Sequence, residues 1–270
     1  MEKPIKRSNF RRALGSYYFQ LKRYLQWRFS DKKWASIYTD KPLEVRVFRH
    51  ETPLFRKLKD VDMWMQHNKV NNLHIAAEKL DKIIIQPGET FSFWRLVGKP
   101  TKRKGYLEGM LLDHGRVISS IGGGLCQLSN LIYWAVLHTP LTVTERHRHN
   151  YDVFPDSNRA LPFGSGATCA YNYIDLQIYN STNQPFQLLV YLTDTHLVGE
   201  WRAERKPEYT YEIYEKEHWI TQEYWGDYVR HNTIYRKVYN SRGELVDDQY
   251  ITENHAIMMY QPLLESGQPY

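Results

Sequence analysis

Ile121-Gly122-Gly123-Gly124-Leu125-Cys126-Gln127-Leu128-Ser129-Asn130 runs directly into Leu131-Ile132-Tyr133-Trp134-Ala135-Val136-Leu137, and the reading of this stretch decides the fold. Three glycines free the backbone for a tight turn, and the apolar run behind them is long enough for a buried helix. Cys126 falls in the first turn of that helix, where unpaired N–H groups and the positive end of the helix dipole favour a thiolate. At helical spacing Leu125, Leu128, Ile132 and Ala135 share one face. Cys126, Ser129, Asn130 and Tyr133 share another. The thiol therefore sits on a polar stripe of an otherwise apolar helix, which makes it a candidate nucleophile. The competing reading is a small core cysteine, since unpaired cysteine is among the most buried residue types.

Outward from the helix the texture changes. Upstream, Ile83-Ile84-Ile85 reads as a short buried strand closed by the Pro87-Gly88 turn signal, and Asn71 and Asn72 read as caps for a helix carrying Leu73, Ala76, Ala77 and Leu80. Val117 and Ile118 form a strand entering the glycine turn. Downstream, 141–146, 167–172, 174–180, 186–193 and 197–202 read as strands, separated by turn residues such as Ser181-Thr182-Asn183-Gln184-Pro185. The expected fold is α+β: a central cysteine-bearing helix packed on a mostly antiparallel sheet. To this are added an N-terminal amphipathic helix in 1–35, a main unit in 36–205 and a β-rich extension in 206–270.

The 270 residues carry a net charge of +6, but its location matters more than its size. Residues 1–35 hold ten Lys and Arg against Glu2 and Asp31, so the rest of the chain is net −2. That excludes a nucleic-acid-binding body. Phe10, Ala13, Leu14, Tyr17, Tyr18, Leu21, Tyr24, Leu25 and Phe29 recur at helical spacing with Arg11, Arg12, Lys22, Arg23 and Arg28 between them. Residues 9–30 thus read as a basic amphipathic helix suited to the anionic inner face of a membrane, or else packed by its apolar face on the body. No segment has the apolar length of a secretory signal or a transmembrane span, so the expected location is the cytoplasm, at the membrane surface. The two cysteines, Cys126 and Cys169, are too few for a disulfide framework, and their spacing does not pair them.

The segments downstream of the helix suggest chemistry. In an extended segment His147 and His149 of Glu145-Arg146-His147-Arg148-His149 point to one side, and Asp175 lies on a later strand-like segment. Cysteine at a helix start, then histidine, then an acid is the order used by papain-like and transglutaminase-like thiol enzymes. Zinc held by His147, His149 and Cys126 or Asp175 is the weaker reading, because four closely spaced ligands are missing, and no metal or cofactor is expected. A third reading is anion binding, with Gly122, Gly123 and Gly124 offering backbone N–H groups and Arg146 and Arg148 offering charge.

Gln86-Pro87-Gly88-Glu89-Thr90-Phe91-Ser92-Phe93-Trp94, Gly122-Gly123-Gly124-Leu125-Cys126-Gln127 and Glu145-Arg146-His147-Arg148-His149, with Ala167-Thr168 and Ile174-Asp175-Leu176 after them, resemble the VanW family over about residues 60–205. The length resembles its shorter, single-domain members. The resemblance implies a process, glycopeptide resistance at the bacterial cell envelope, and names no reaction. It carries motif positions onto Pro87, Gly88, Glu89, Phe91, Gly122, Gly123, Gly124, Cys126, Gln127, His149 and Asp175, with His147 at a more variable position. The chain departs from the pattern at Gly166, where members typically carry aspartate.

Two functions are expected from these residues. In the first, Cys126 attacks an amide or ester of a cell-wall precursor, His149 is the general base, Asp175 orients it and Gln127 or the glycine N–H groups stabilise the oxyanion. In the second, Gly122, Gly123, Gly124, Ser129, Asn130, Arg146, His147 and Arg148 bind a carboxylate or phosphate of such a precursor without turnover.

Overall fold

A computed structural model describes residues 8–55, 62–113, 115–153 and 161–262. Helix α1 (Asn9–Phe29) starts at Ser8, whose hydroxyl accepts from Arg11 N. Strands β1 (Lys33–Trp34), β2 (Ile37–Tyr38) and β3 (Val45–Pro53) lead to α2 (Met63–Leu80). Next come β4 (Ile83–Ile85), β5 (Glu89–Ser92), the short α3 (Phe93–Val97) and the ribbon β6 (Glu108–Asp113) and β7 (Arg116–Ile121). Helix α4 (Cys126–Val136) precedes β8 (Thr142–Glu145), β9 (Tyr151–Asp152), β10 (Gln177–Tyr179), β11 (Phe186–Leu192) and β12 (His196–Ala203). The long strands β13 (Thr210–Gln222), β14 (Tyr228–Tyr239) and β15 (Leu245–Met258) follow.

The central sheet has the order β2-β4-β11-β12-β3 and is antiparallel throughout. α4 packs on β12 and β3, and α2 on β11. Every residue of α4 from Leu128 to Val136 is buried except Asn130, which is why this helix reads as apolar on nearly all sides. A second sheet has the order β1-β5-β10-β8, and β13-β14-β15 form a meander. The expected α+β architecture, with its N-terminal helix and β-rich C-terminus, is the one adopted.

The first motif is a turn with a mechanism. Pro87 and Gly88 (φ +80°) occupy the centre, Glu89 N donates to Gln86 O at 2.9 Å, and the Glu89 carboxylate accepts from Gln86 N at 3.0 Å. A glycine is required at that left-handed position of a type II turn. Phe91, Phe93 and Trp94 then enter the core.

Two expectations are corrected. Asn71 and Asn72 do not cap a helix; α2 begins eight residues earlier than Asn71, at Met63. Buried polar residues in its first half, Gln66 and Lys69, hide the helical period from a hydrophobic reading. Asn72 is instead a buried clamp. It donates to Leu107 O and Gly123 O, both at 3.0 Å, and accepts from Leu107 N at 2.8 Å. Residues 167–172 are not a strand. They make isolated bridges, His147 to Thr168 and Ala170 to Ile174, around a tight reversal, and side chains of α4 take the place of a neighbouring strand.

Candidate functional site

Leu125, the residue before α4, offers no side-chain cap, so the first turn relies on the glycine loop. Gly122 (φ +75°) donates to Leu107 O at 3.0 Å and Gly123 to Ser120 O at 2.9 Å. The N–H groups of Gly124, Leu125 and Cys126 have no partner among the described residues. A Cβ on Gly123 would lie 2.1 Å from Gly109 O, so only glycine lets the ribbon β6–β7 approach the helix start.

Cys126 is half-buried at this helix start. Its Sγ lies 3.7 Å from Cys169 O, to which the thiol S–H donates, and 3.8 Å from Cys169 Sγ. His149 faces the same sulfur. The Cys126 thiol is held well below its ordinary range, first by the S–H of Cys169 donating to the thiolate. Burial pushes the other way, and the His149 imidazole adds to the lowering. Cys169 is correspondingly pushed well above, because its proton is shared with Cys126 and it is buried. Of the two histidines, His149 is the one that faces the thiol. His147 turns outward and bonds Glu145 at 3.1 Å through Nε2.

Asp175 is wholly buried, and burial pushes its carboxyl up to about 6. It accepts from Ser92 Oγ (2.5 Å), Trp94 N (3.0 Å) and its neighbour Leu176 N (3.0 Å), with Gln177 Nε2 at 3.4 Å. No hydrogen bond joins it to His149 among the described residues. Its bonds brace the β5–α3 corner, and its charge raises Cys169. The Gln127 amide points away from the sulfur, donating to Thr52 Oγ1 (3.0 Å) and Pro53 O (2.9 Å) at the end of β3. Both of its N–H donors are thereby committed.

The polar stripe of α4 grips the segment that carries Cys169. Ser129 Oγ donates to Ala167 O at 2.6 Å, and Asn130 Oδ1 accepts from Ala167 N at 2.7 Å. A Cβ on Gly166 would lie 2.5 Å from Asn130 Oδ1, so a side chain at the divergent motif position would displace the amide that accepts from Ala167 N. Arg146 stacks on Tyr133 (4.9 Å) and donates to Gly166 O (2.8 Å), Gly164 O, Thr252 Oγ1 and Asn254 Oδ1 (both 3.2 Å). Arg148 donates to His255 O. Both arginines expected as ligand-binding groups are thus bonded to the chain itself, tying the His149 segment to β15. The parallel pairing of β9 with β15 and the buried Asp152–Arg230 ion pair (3.2 Å) fasten the residues just after His149.

Two site residues escape a sequence reading. Cys169 carries no local signal, since 43 positions separate it from Cys126. Glu145 looks like an ordinary strand acid, yet it accepts from Arg23 (2.5 Å), His147 and Asp175 N (3.2 Å). A cavity of about 420 Å³ lined by Arg146, His147, Arg148, Asn150, Thr168 and Thr252 adjoins the His149 and Cys169 segments, so three residues expected to bind a ligand stand on its wall.

Known proteins share these landmarks. Residues 68–202 match the family described as VanW like protein. The Vancomycin B-type resistance protein VanW of Enterococcus faecalis (strain ATCC 700802 / V583) is 35% identical over 243 residues, 90% of this chain and 88% of that protein. The uncharacterized protein YoaR of Bacillus subtilis (strain 168) is 31% identical over 118 residues, 44% of this chain and 37% of that protein. No solved structure matches. The glycine turn, the cysteine and the histidine segment all lie inside the matched region, and this chain belongs to the VanW family.

Proposed function

We propose that this protein performs thiol-dependent acyl transfer on a cell-wall precursor. The observation that carries the reading is the Cys126 thiol, depressed by Cys169 and faced by His149 at the open start of α4. The Cys126 thiolate attacks the carbonyl carbon of an amide or ester, forming a C–S bond and a tetrahedral oxyanion. The N–H groups of Gly124, Leu125 and Cys126 stabilise that oxyanion in place of Gln127. As the intermediate collapses, the C–N or C–O bond breaks and His149 delivers its proton to the leaving group. The thioester passes its acyl group to water, in a hydrolase, or to an amine, in a transferase, with His149 taking that proton back. The substrate class rests on the resistance named for the Enterococcus faecalis relative.

A binding protein without turnover is the second reading, favoured by the cavity beside His149 with Arg148 and Asn150 on its wall. One experiment separates the two. Cys126 alkylation is followed against pH by peptide mass spectrometry, in the native protein and in His149→Ala. Labelling of Cys126 below neutral pH, slowed in the variant, supports acyl transfer. Labelling no faster than that of Cys169 in both proteins removes it. In a resistant host Cys126→Ser is expected to abolish resistance, whereas a binding protein retains it.

A further inference from the structure

Helix α1 is mounted on the protein by the side that carries Gln20, Arg23, Tyr24 and Trp27. Arg23 is nearly buried, pairs with Glu145 at 2.5 Å and donates to Tyr173 O at 3.1 Å. Asn172 Nδ2 donates to Gln20 O at 3.4 Å, Tyr24 and Tyr171 join hydroxyls at 2.6 Å, and Trp27 packs against the core. The stripe on the opposite side, Phe10, Leu14, Tyr17, Leu21, Leu25 and Phe29, stays between 48% and 79% exposed. Spaced three or four residues apart, these side chains form one continuous apolar band along a helix about 30 Å long. Of the apolar face read from the sequence, Tyr24 turns to Tyr171 of the body, and these six side chains stay open.

Charge selects the occupant of the band. No acidic residue lies between Asn9 and Phe29, and Arg11, Lys22 and Arg28 flank the apolar residues. A second copy docking by the same face would set like charges against each other. An anionic bilayer answers both features, with lipid phosphates meeting the basic residues and the aromatic side chains entering the interface. Among the described residues no helix is long and apolar enough to cross a membrane. We infer that α1 is an in-plane anchor that seats the protein on an anionic phospholipid surface through Phe10, Leu14, Tyr17, Leu21, Leu25 and Phe29. Its inner side is joined to Glu145, the bonding partner of His147, and to the turn after Cys169. The anchor thereby holds the thiol site at the lipid surface, where lipid-linked precursors are found. The docking surface is independent of the reaction proposed for Cys126; only this last link to substrate rests on that reading.

The test is co-sedimentation of the full chain with phosphatidylcholine vesicles, with and without phosphatidylglycerol. Binding to the phosphatidylglycerol vesicles is expected, weakened at least tenfold on neutral vesicles and reduced by salt. Leu14→Ser with Leu21→Ser removes it, while circular dichroism and Cys126 labelling stay as in the parent and show that fold and site are intact. Equal binding by parent and variant overturns the anchor, as does no binding to anionic vesicles. So does a concentration-dependent dimer in sedimentation velocity that the same double variant abolishes, because the band would then be covered by a second copy. Loss of low-pH Cys126 labelling with lipid binding unchanged sinks the acyl-transfer reading alone.

Discussion

Cys126 Sγ lies 3.8 Å from Cys169 Sγ, so the chain's two cysteines meet at the start of α4. With the Cys126 thiol held low, the buried Cys169 S–H is the donor left between the two sulfurs once Cys126 ionises, and His149 faces the same sulfur. Cys169→Ala is therefore expected to move the pH profile of Cys126 alkylation to higher pH. Cys169→Ser, which keeps a donor, should recover most of the labelling at low pH. An unchanged profile in the alanine variant would remove the donor role.

The same proximity makes the pair oxidisable. With glutathione disulfide as oxidant, the Cys126 thiolate forms a mixed disulfide and Cys169 then expels reduced glutathione. The expected product is an intramolecular disulfide that has lost two hydrogens and blocks alkylation of Cys126 until a reductant is added. Intact-mass measurement checks it. Persistent glutathione on Cys126 would show that the two sulfurs cannot close to bonding distance.

Two buried groups set opposing pH dependences. The Asp175 carboxyl is pushed from 3.8 up to about 6 by burial, so the folded state holds its proton more tightly and stability rises as pH falls from about 6 to about 4. His138, stacked on Phe48 at 3.7 Å, is pushed from 6.5 down to about 4 by burial, so stability falls over nearly the same range. Each effect is roughly 3 kcal/mol, and they largely cancel. Asp175→Asn keeps the acceptor for Trp94 N and Leu176 N, and its new amide can donate to Ser92 Oγ. It is expected to leave a net loss of roughly 3 kcal/mol on acidification from pH 6.5 to 4, measured by urea unfolding. Labelling of Cys126 should survive this change, since Asp175 bonds the β5–α3 corner and not His149.

Glycines 15 and 123 should respond in opposite directions to alanine. Gly123→Ala drives a Cβ into Gly109 O, a backbone atom that cannot step aside, at a cost of about 3 kcal/mol. Gly15 lies within α1 with nothing within 4 Å of its Cβ position, so Gly15→Ala is expected to stabilise by about 1 kcal/mol. Thermal unfolding of both variants reports the sign.

Arg146 spans the gap between the His149 segment and β15 with a fork that lysine cannot reproduce. Arg146→Lys is expected to cost about 3 kcal/mol, from unmet carbonyls at Gly164 and Gly166 and lost stacking on Tyr133. Urea unfolding checks it. A change in ligand affinity with full stability retained would favour the binding role read from the sequence, since Arg146 also lines the cavity beside His149.

The sequence alone determined what short-range physics controls. The period of the apolar residues placed α4 and its polar stripe, Pro87-Gly88 required a turn, and the glycine run placed Cys126 at a helix start. Glycine runs, turn dipeptides and helical spacing act over a few residues, so they can be read without a partner. Only the tertiary structure decided which groups meet. Gln127 goes to β3, Ser129 and Asn130 go to Ala167, and Cys169 comes to Cys126 from 43 residues away, because each side chain bonds whatever the packing of distant segments brings within reach. The same holds for α1. Its pattern showed an amphipathic helix, but the Arg23–Glu145 pair, made across 122 positions, decided which face turns inward and left the apolar band open.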